Sequence, residues 1–278
     1  MAEYLETLIQ TDQARPLSSA IVPIVREDGL PASFAQERLW KLQHALPGLP
    51  FFNILYALRL TSPFDMAVLE RSINEIVRRH EILRTTFAAA DGRYVQVIAP
   101  QLTVPLTFND LHALSKSKKE RVAHQLIQDE VLHSFDLAQG PLFRTGLVRL
   151  TEREHLLLFT MHQVISDGWS LGVLVEELAA LYDAFSTRKA SPLPPPSTQY
   201  ADFAHWQRHW RSHPDIVAQV AYWQEQLHGP LPLMKLAKAR PRRTIDGFRT
   251  ARREVALPPS LVRSSISWKS PSENATML

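Results

Sequence analysis

The chain has no cysteine in its 278 residues. Disulfides and thiolate metal sites are therefore excluded. The absence fits a reducing compartment, and a cytoplasmic location is expected. Long apolar runs are missing as well. Leu156-Leu157-Leu158-Phe159 is typical of the longest and is far too short to cross a bilayer, so no membrane partner is expected. The opening residues, Met1-Ala2-Glu3-Tyr4-Leu5-Glu6, are acidic where a secretion signal would be basic, and no apolar core follows them. There is no Gly-rich phosphate loop and no Gly-x-Ser-x-Gly elbow. Eleven histidines are scattered along the chain without a convincing ligand partner, so no metal is expected. An excess of charge of one sign is lacking too: 31 Lys and Arg stand against 28 Asp and Glu, a formal net charge of +3. Eight Lys and Arg do fall within Lys235–Arg253 against the single acid Asp246. Pro241 interrupts that run, which reads as a solvated loop rather than a nucleic-acid surface.

What is present reads as globular. Hydrophobic residues make up 45% of the chain and charged ones 21%, a balance that can bury a core. Residues 1–20 lack sustained periodicity and read as a leader or linker. Asp65 is placed to cap a helix on which Leu69, Ile73, Ile76, Val77 and His80 share one face. Ile54–Leu60 reads as a strand. Thr85–Phe87 and Arg93–Ile98 read as a hairpin around Asp91-Gly92. Lys116–His133 is an amphipathic helix. Leu142–Leu150 and His155–Met161 form a second strand pair. Leu171–Phe185 is a helix with Leu174, Leu178, Leu181 and Tyr182 on one stripe. Four prolines in Pro192–Pro196 stiffen a segment that reads as a boundary, and Tyr200–Arg211 and Pro214–Leu227 are helices beyond it. The mixture predicts an α/β (α+β) fold layered around one sheet.

The chemistry concentrates at Met161-His162-Gln163-Val164-Ile165-Ser166-Asp167-Gly168-Trp169-Ser170. A strand ends here, a short loop follows, and a helix begins. Polar side chains at such a junction are well placed to meet a ligand in a cleft. Gly168 is expected to allow a backbone conformation that other residues resist. The plainer reading is an Asx turn capping the helix, with His162 as a satisfied buried histidine. Trp169, Trp206, Trp210 and Trp223 read as core and lobe-packing residues rather than ligand stackers.

Four segments together resemble the condensation domains of nonribosomal peptide synthetases, members of the chloramphenicol acetyltransferase-like superfamily. They are Ser33-Phe34-Ala35-Gln36-Glu37-Arg38-Leu39-Trp40, Arg79-His80-Glu81-Ile82-Leu83-Arg84-Thr85-Thr86-Phe87, residues 161–170, and Tyr200-Ala201-Asp202-Phe203-Ala204-His205-Trp206-Gln207-Arg208. They occur in the family's order, and the similarity covers about residues 20–260. The resemblance implies a chloramphenicol acetyltransferase-like lobe at 21–186, a mixed sheet packed with helices. A Pro-rich linker at 187–198 and the start of a second, similar lobe at 199–262 would follow. It implies amide bond formation between aminoacyl or peptidyl thioesters, with no cofactor bound directly. The substrates would arrive on the phosphopantetheine arms of peptidyl carrier protein domains, beside an adenylation domain of the same assembly line. Asp167 would be structural and pair with an arginine of the second motif, for which Arg84 is the expectation. Gly168 would offer its N–H to a developing oxyanion. Trp169 and Ser170 would support the site.

Two departures bear on activity. The family's catalytic imidazole stands four residues before the Asp, and here that residue is Gln163. A carboxamide cannot take a proton near pH 7, and losing general-base catalysis costs about 10²–10⁴-fold. His162 is the neighbour, but adjacent strand residues point to opposite faces, so it does not substitute. Second, the motifs of a second lobe do not follow, and residues 263–278 form a Ser-rich tail without an apolar stripe, as if a reading frame had shifted near 263. The leading expectation is a truncated and catalytically impaired condensation domain. The alternatives are a non-catalytic module that docks carrier proteins and a stand-alone CoA-dependent acyltransferase.

Overall fold

Asp65 does cap the first long amphipathic helix: its Oδ1 accepts the N–H groups of Ala67 and Val68 at 2.8 and 3.2 Å. The computed structural model describes residues 20–230 apart from 27, 28, 47, 49, 51, 62, 63 and 91. The leader, the basic run, the expected aberrant tail and Asp91 of the hairpin lie wholly or almost wholly outside the described residues. In chain order the strands are β1 (Leu30–Pro31), β2 (Asn53–Leu60), β3 (Thr85–Ala90), β4 (Arg93–Ile98), β5 (Leu106–Asp110), β6 (Phe143–Arg149) and β7 (His155–His162). The helices are α1 (Phe34–Ala45), α2 (Met66–Arg79), α3 (Lys116–Leu132), α4 (Gly168–Ser186), α5 (Tyr200–Trp210) and α6 (Pro214–Gln226), with a 3-10 turn at Glu81–Arg84.

The strands form two sheets rather than the one expected, ordered β1-β4-β3 and β2-β7-β6-β5. In the larger sheet β7 runs antiparallel to both β2 and β6, pairing Asn53 with His162 and Phe143 with Met161. Strand β5 joins the far edge parallel to β6. The sequence does not announce this strand: the five residues Leu106-Thr107-Phe108-Asn109-Asp110 are too few and too polar to show a period.

Strand β7 is apolar on both faces because both are covered. Leu157, Phe159 and Met161 belong to the core that includes Ile73, Ile76 and Val77 of α2 and Leu174, Leu178 and Leu181 of α4. Leu158 and Val148 pack on the opposite face with Ala123 of α3. The period of two along the strand thus sends alternate side chains to two different helical layers.

Contacts divide the chain into Met1–Gln226 and Leu227–Leu278; of the latter only residues 227–230 are described. Residues 199–226 belong with the first of these units. Arg79 donates to the Leu193 carbonyl at 3.3 Å, Leu193 packs on the core, and α5 lies against β1. Prolines stiffen a segment locally, but they do not decide whether it leaves the body or is pinned to it.

Candidate active site

Strand β7 carries His162 to its last position, where the residue is only 1% exposed. The Val164 N–H donates to His162 Nδ1 at 3.0 Å, so the ring proton resides on Nε2. Phe52 and Phe135 meet the imidazole edge-on. Burial pushes the ring down to a pKa of about 4, so it is neutral at physiological pH. Its Nε2 has no hydrogen-bond partner among the described residues. The next residue, Gln163, is exposed, while its backbone N–H still reaches the Phe52 carbonyl at 2.8 Å. The two neighbours therefore differ: His162, the last residue of β7, is sealed behind the loop, and Gln163, the first residue of the turn, is exposed.

Asp167 is the N-cap of α4. Its Oδ1 accepts the Ser170 N–H at 2.9 Å and the Ser170 hydroxyl at 2.7 Å, and its own N–H donates to Ser170 Oγ at 3.2 Å. This reciprocal box explains the helix start at Gly168. The Ser170 hydrogen bonds hold the Asp167 carboxyl below its usual range. The hydroxyl of Tyr56, on β2, reaches the Asp167 carbonyl at 3.4 Å.

Three expectations about this site are corrected. Arg84 does not pair with Asp167: its Nη1 donates to the Ala99 carbonyl and its Nη2 lies 3.9 Å from Glu81. A carboxylate one turn from a serine at a helix start is satisfied locally, and the arginine is held by its own 3-10 turn. Gly168 adopts no left-handed conformation, and a Cβ there would meet nothing within 4 Å. Its lack of a side chain therefore leaves open space at the helix start. Trp169 is 76% exposed and Trp223 is 59% exposed, so neither is a core residue in the described structure.

The four motif segments are laced together. Gln36 of α1 is buried; its Oε1 accepts the Ser33 N–H at 2.9 Å, and its Nε2 reaches the Val164 carbonyl at 3.4 Å. The first motif thus holds the loop of the third. Ser33 Oγ lies 3.0 Å from the Tyr200 hydroxyl, and Arg208 bonds the Ala32 carbonyl and Glu37 at 2.8 and 2.6 Å. The fourth motif thus holds the first. Gln199 bridges to the second motif, donating to the Arg79 carbonyl at 2.8 Å and accepting the Glu81 N–H at 3.0 Å. Buried Asp202 accepts the Gln199 N–H at 2.7 Å and binds Arg26 at 2.6 Å. Burial raises the Asp202 carboxyl, but the Arg26 and backbone hydrogen bonds outweigh it and leave it lowered.

Between α2, α4 and α5 lies a cleft of about 480 Å³, lined among others by Ile76, His80, Ser166, Asp167, Trp169 and Tyr200. Behind it Glu177 of α4 receives Arg79 through two hydrogen bonds of 3.1 Å and lies 2.9 Å from His80 Nε2. Burial opposes ionisation of Glu177, yet the Arg79 and His80 bonds prevail and its pKa is lowered. Sequence reasoning missed Glu177, Gln36 and Arg26. Gln36 stands three residues after Ser33, a capping-box spacing that was legible. Nothing local marks Glu177 or Arg26.

The family model for the condensation domain matches residues 26–267. A linear gramicidin synthase chain of Brevibacillus parabrevis is 44% identical over 234 residues, 84% of this chain and 3% of that protein. Phosphinothricin tripeptide synthetase PhsC of Streptomyces viridochromogenes is 41% identical over 236 residues, 84% of this chain and 22% of that protein. Among solved structures, the X-domain from teicoplanin biosynthesis superposes with a TM-score of 0.70 at 29% identity over 81% of this chain. The starter condensation domain of rhizomide synthetase RzmA shares the fold with a TM-score of 0.64 at 18% identity over 73% of this chain. The chain spans 49% and 48% of those two structures.

Proposed function

The chain belongs to the condensation-domain family, and from that membership we propose that it is the motif-bearing part of a peptide synthetase domain that joins carrier-bound thioesters. In that chemistry the acceptor amine attacks the donor thioester carbonyl. A C–N bond forms, the C–S bond breaks, and the carrier thiol leaves. The amine must also lose a proton. The observation that carries the reading is one cleft lined by residues of the second, third and fourth motifs, with Ser166 and Asp167 in its wall. The first motif supports that wall through Gln36 and the Val164 carbonyl. Phosphopantetheine arms of carrier proteins would deliver the substrates to the cleft, and an adenylation domain would load them.

Asp167 keeps the loop and the first turn of α4 in place through Ser170. The Ser170 and Trp169 N–H groups are engaged by the Asp167 carboxylate, so in the first turn of α4 the Gly168 N–H is the donor that would be offered to a developing oxyanion. Gln163 can orient an amine by hydrogen bonding but cannot accept its proton. Turnover would therefore be slow. The test is a single-turnover condensation assay with loaded donor and acceptor carriers, using a two-lobed domain that contains these residues. Amide product whose formation is abolished by Asp167→Ala supports the reading. Normal product in the Asp167→Ala protein refutes it.

A second reading is a docking module without chemistry. It is favoured by the neutral, exposed Gln163 at the imidazole position. The X-domain of teicoplanin biosynthesis, 28% identical to this chain over 81% of its length, has been solved in complex with OxyB. Binding of a loaded carrier protein at low salt without amide formation would select this reading over the first.

A further inference from the structure

Helix α5 carries a pair of histidines outside the cleft. His205 and His209 stand at i and i+4, so they share one face of the helix. Their ring centroids are 4.3 Å apart with an interplanar angle of 38°. His209 Nδ1 lies 2.9 Å from the His205 carbonyl. A carbonyl only accepts, so Nδ1 carries the proton and the lone pair of His209 is on Nε2.

We propose that His205 and His209 form a two-histidine site for a borderline transition-metal cation such as Ni²⁺, Cu²⁺ or Zn²⁺. An imidazole nitrogen binds such an ion at about 2.0–2.1 Å, which puts the ring centroid about 3.2 Å from the metal. Two such nitrogens at an N–metal–N angle of about 90° would then put the ring centroids about 4.5 Å apart. The 4.3 Å separation matches this within a few tenths of an ångström. The backbone hydrogen bond of His209 is the outer-shell contact that fixes the tautomer of a metal-binding imidazole. Imidazole donors select this class of ion over Mg²⁺ and Ca²⁺.

Both rings line one groove with Glu37, Arg93, Tyr94 and Arg208. Arg208 is the nearest cation in sequence, but its guanidinium lies 2.6 Å from Glu37, which compensates its charge. The same spacing continues to His213, yet α5 ends at Trp210, and among the described residues no group of three His, Asp or Glu is placed to hold an ion. The site thus offers two nitrogens and leaves the other positions to water. Because α5 holds the first and second motifs, an ion bound here would stabilise the helix on which the cleft rests.

The experiment is calorimetric titration of the untagged 278-residue chain with NiCl₂ in a non-chelating buffer, alongside His205→Ala, His209→Ala and His124→Ala. His124, an exposed residue of α3, is the control. The expected result is a site that weakens by at least about tenfold in each of the first two variants and is unchanged in the third. Ni²⁺ should also raise the Tm of the parent chain and not that of His209→Ala; His209 is exposed, so its loss leaves the packing intact. Undiminished binding in both α5 variants overturns the proposal. So does an equal loss in His124→Ala, which would mean that exposed histidines bind singly.

Discussion

The N–H of Val164 donates to Nδ1 of His162 at 3.0 Å, so the histidine that remains in the third motif is committed to holding the loop. Its pKa of about 4 and its burial keep it from serving as a base near neutrality. The next position, Gln163, presents an exposed carboxamide.

Restoring an imidazole there should matter. In a two-lobed domain containing these residues, Gln163→His should raise single-turnover condensation by about 10²-fold or more if that position takes the amine proton. An unchanged rate would show that the position only orients the amine.

His162 should also be visible in the pH dependence of stability. Its folded pKa of about 4 lies below the ordinary 6.5, so between those values the unfolded chain takes a proton that the folded chain refuses. The stabilisation is complete above pH 6.5, is lost as pH falls toward 4, and amounts to about 3 kcal/mol. In urea unfolding at pH 7 and pH 5, His162→Phe should show a smaller drop than the parent chain. Equal drops would mean that the ring does not titrate in this way.

The local partnership of Asp167 predicts a specific pattern in a double-mutant cycle. Asp167→Ala should cost about 1 kcal/mol through the lost cap, with strong coupling to Ser170→Ala. Coupling between Asp167→Ala and Arg84→Met should stay within about 0.5 kcal/mol. A larger value from urea midpoints would revive the expected arginine pair.

Glu177 is the acceptor for two cationic or polar groups 98 and 97 positions away in the chain. Arg79 is nearly fully buried, so Glu177→Ala strands its charge and should cost about 3–5 kcal/mol. A Glu177→Leu, Arg79→Met double variant should recover much of that loss, because it removes both charges together. If the single variant unfolds at the parent's urea midpoint, the pair is not structural.

Much was determined by the sequence alone. The apolar repeats of Leu69, Ile73, Ile76 and Val77, and of Leu174, Leu178 and Leu181, specified helices α2 and α4. The continuous apolar run before His162 specified strand β7. The four motifs, read as a set, pointed to the condensation-domain family. All of these are local patterns or side-chain identities, written in contiguous residues. Tertiary structure decided what contiguous residues cannot: which partners meet. It gave Asp167 to Ser170 rather than Arg84, set β5 parallel to β6, and laid α5 against β1, far apart as the two lie in the chain. It brought His80 and Arg79 to Glu177 and left Trp169 exposed in the wall of the cleft. Such choices depend on where packed surfaces place buried charges and hydrogen-bond donors, and each must find a partner wherever in the chain that partner lies.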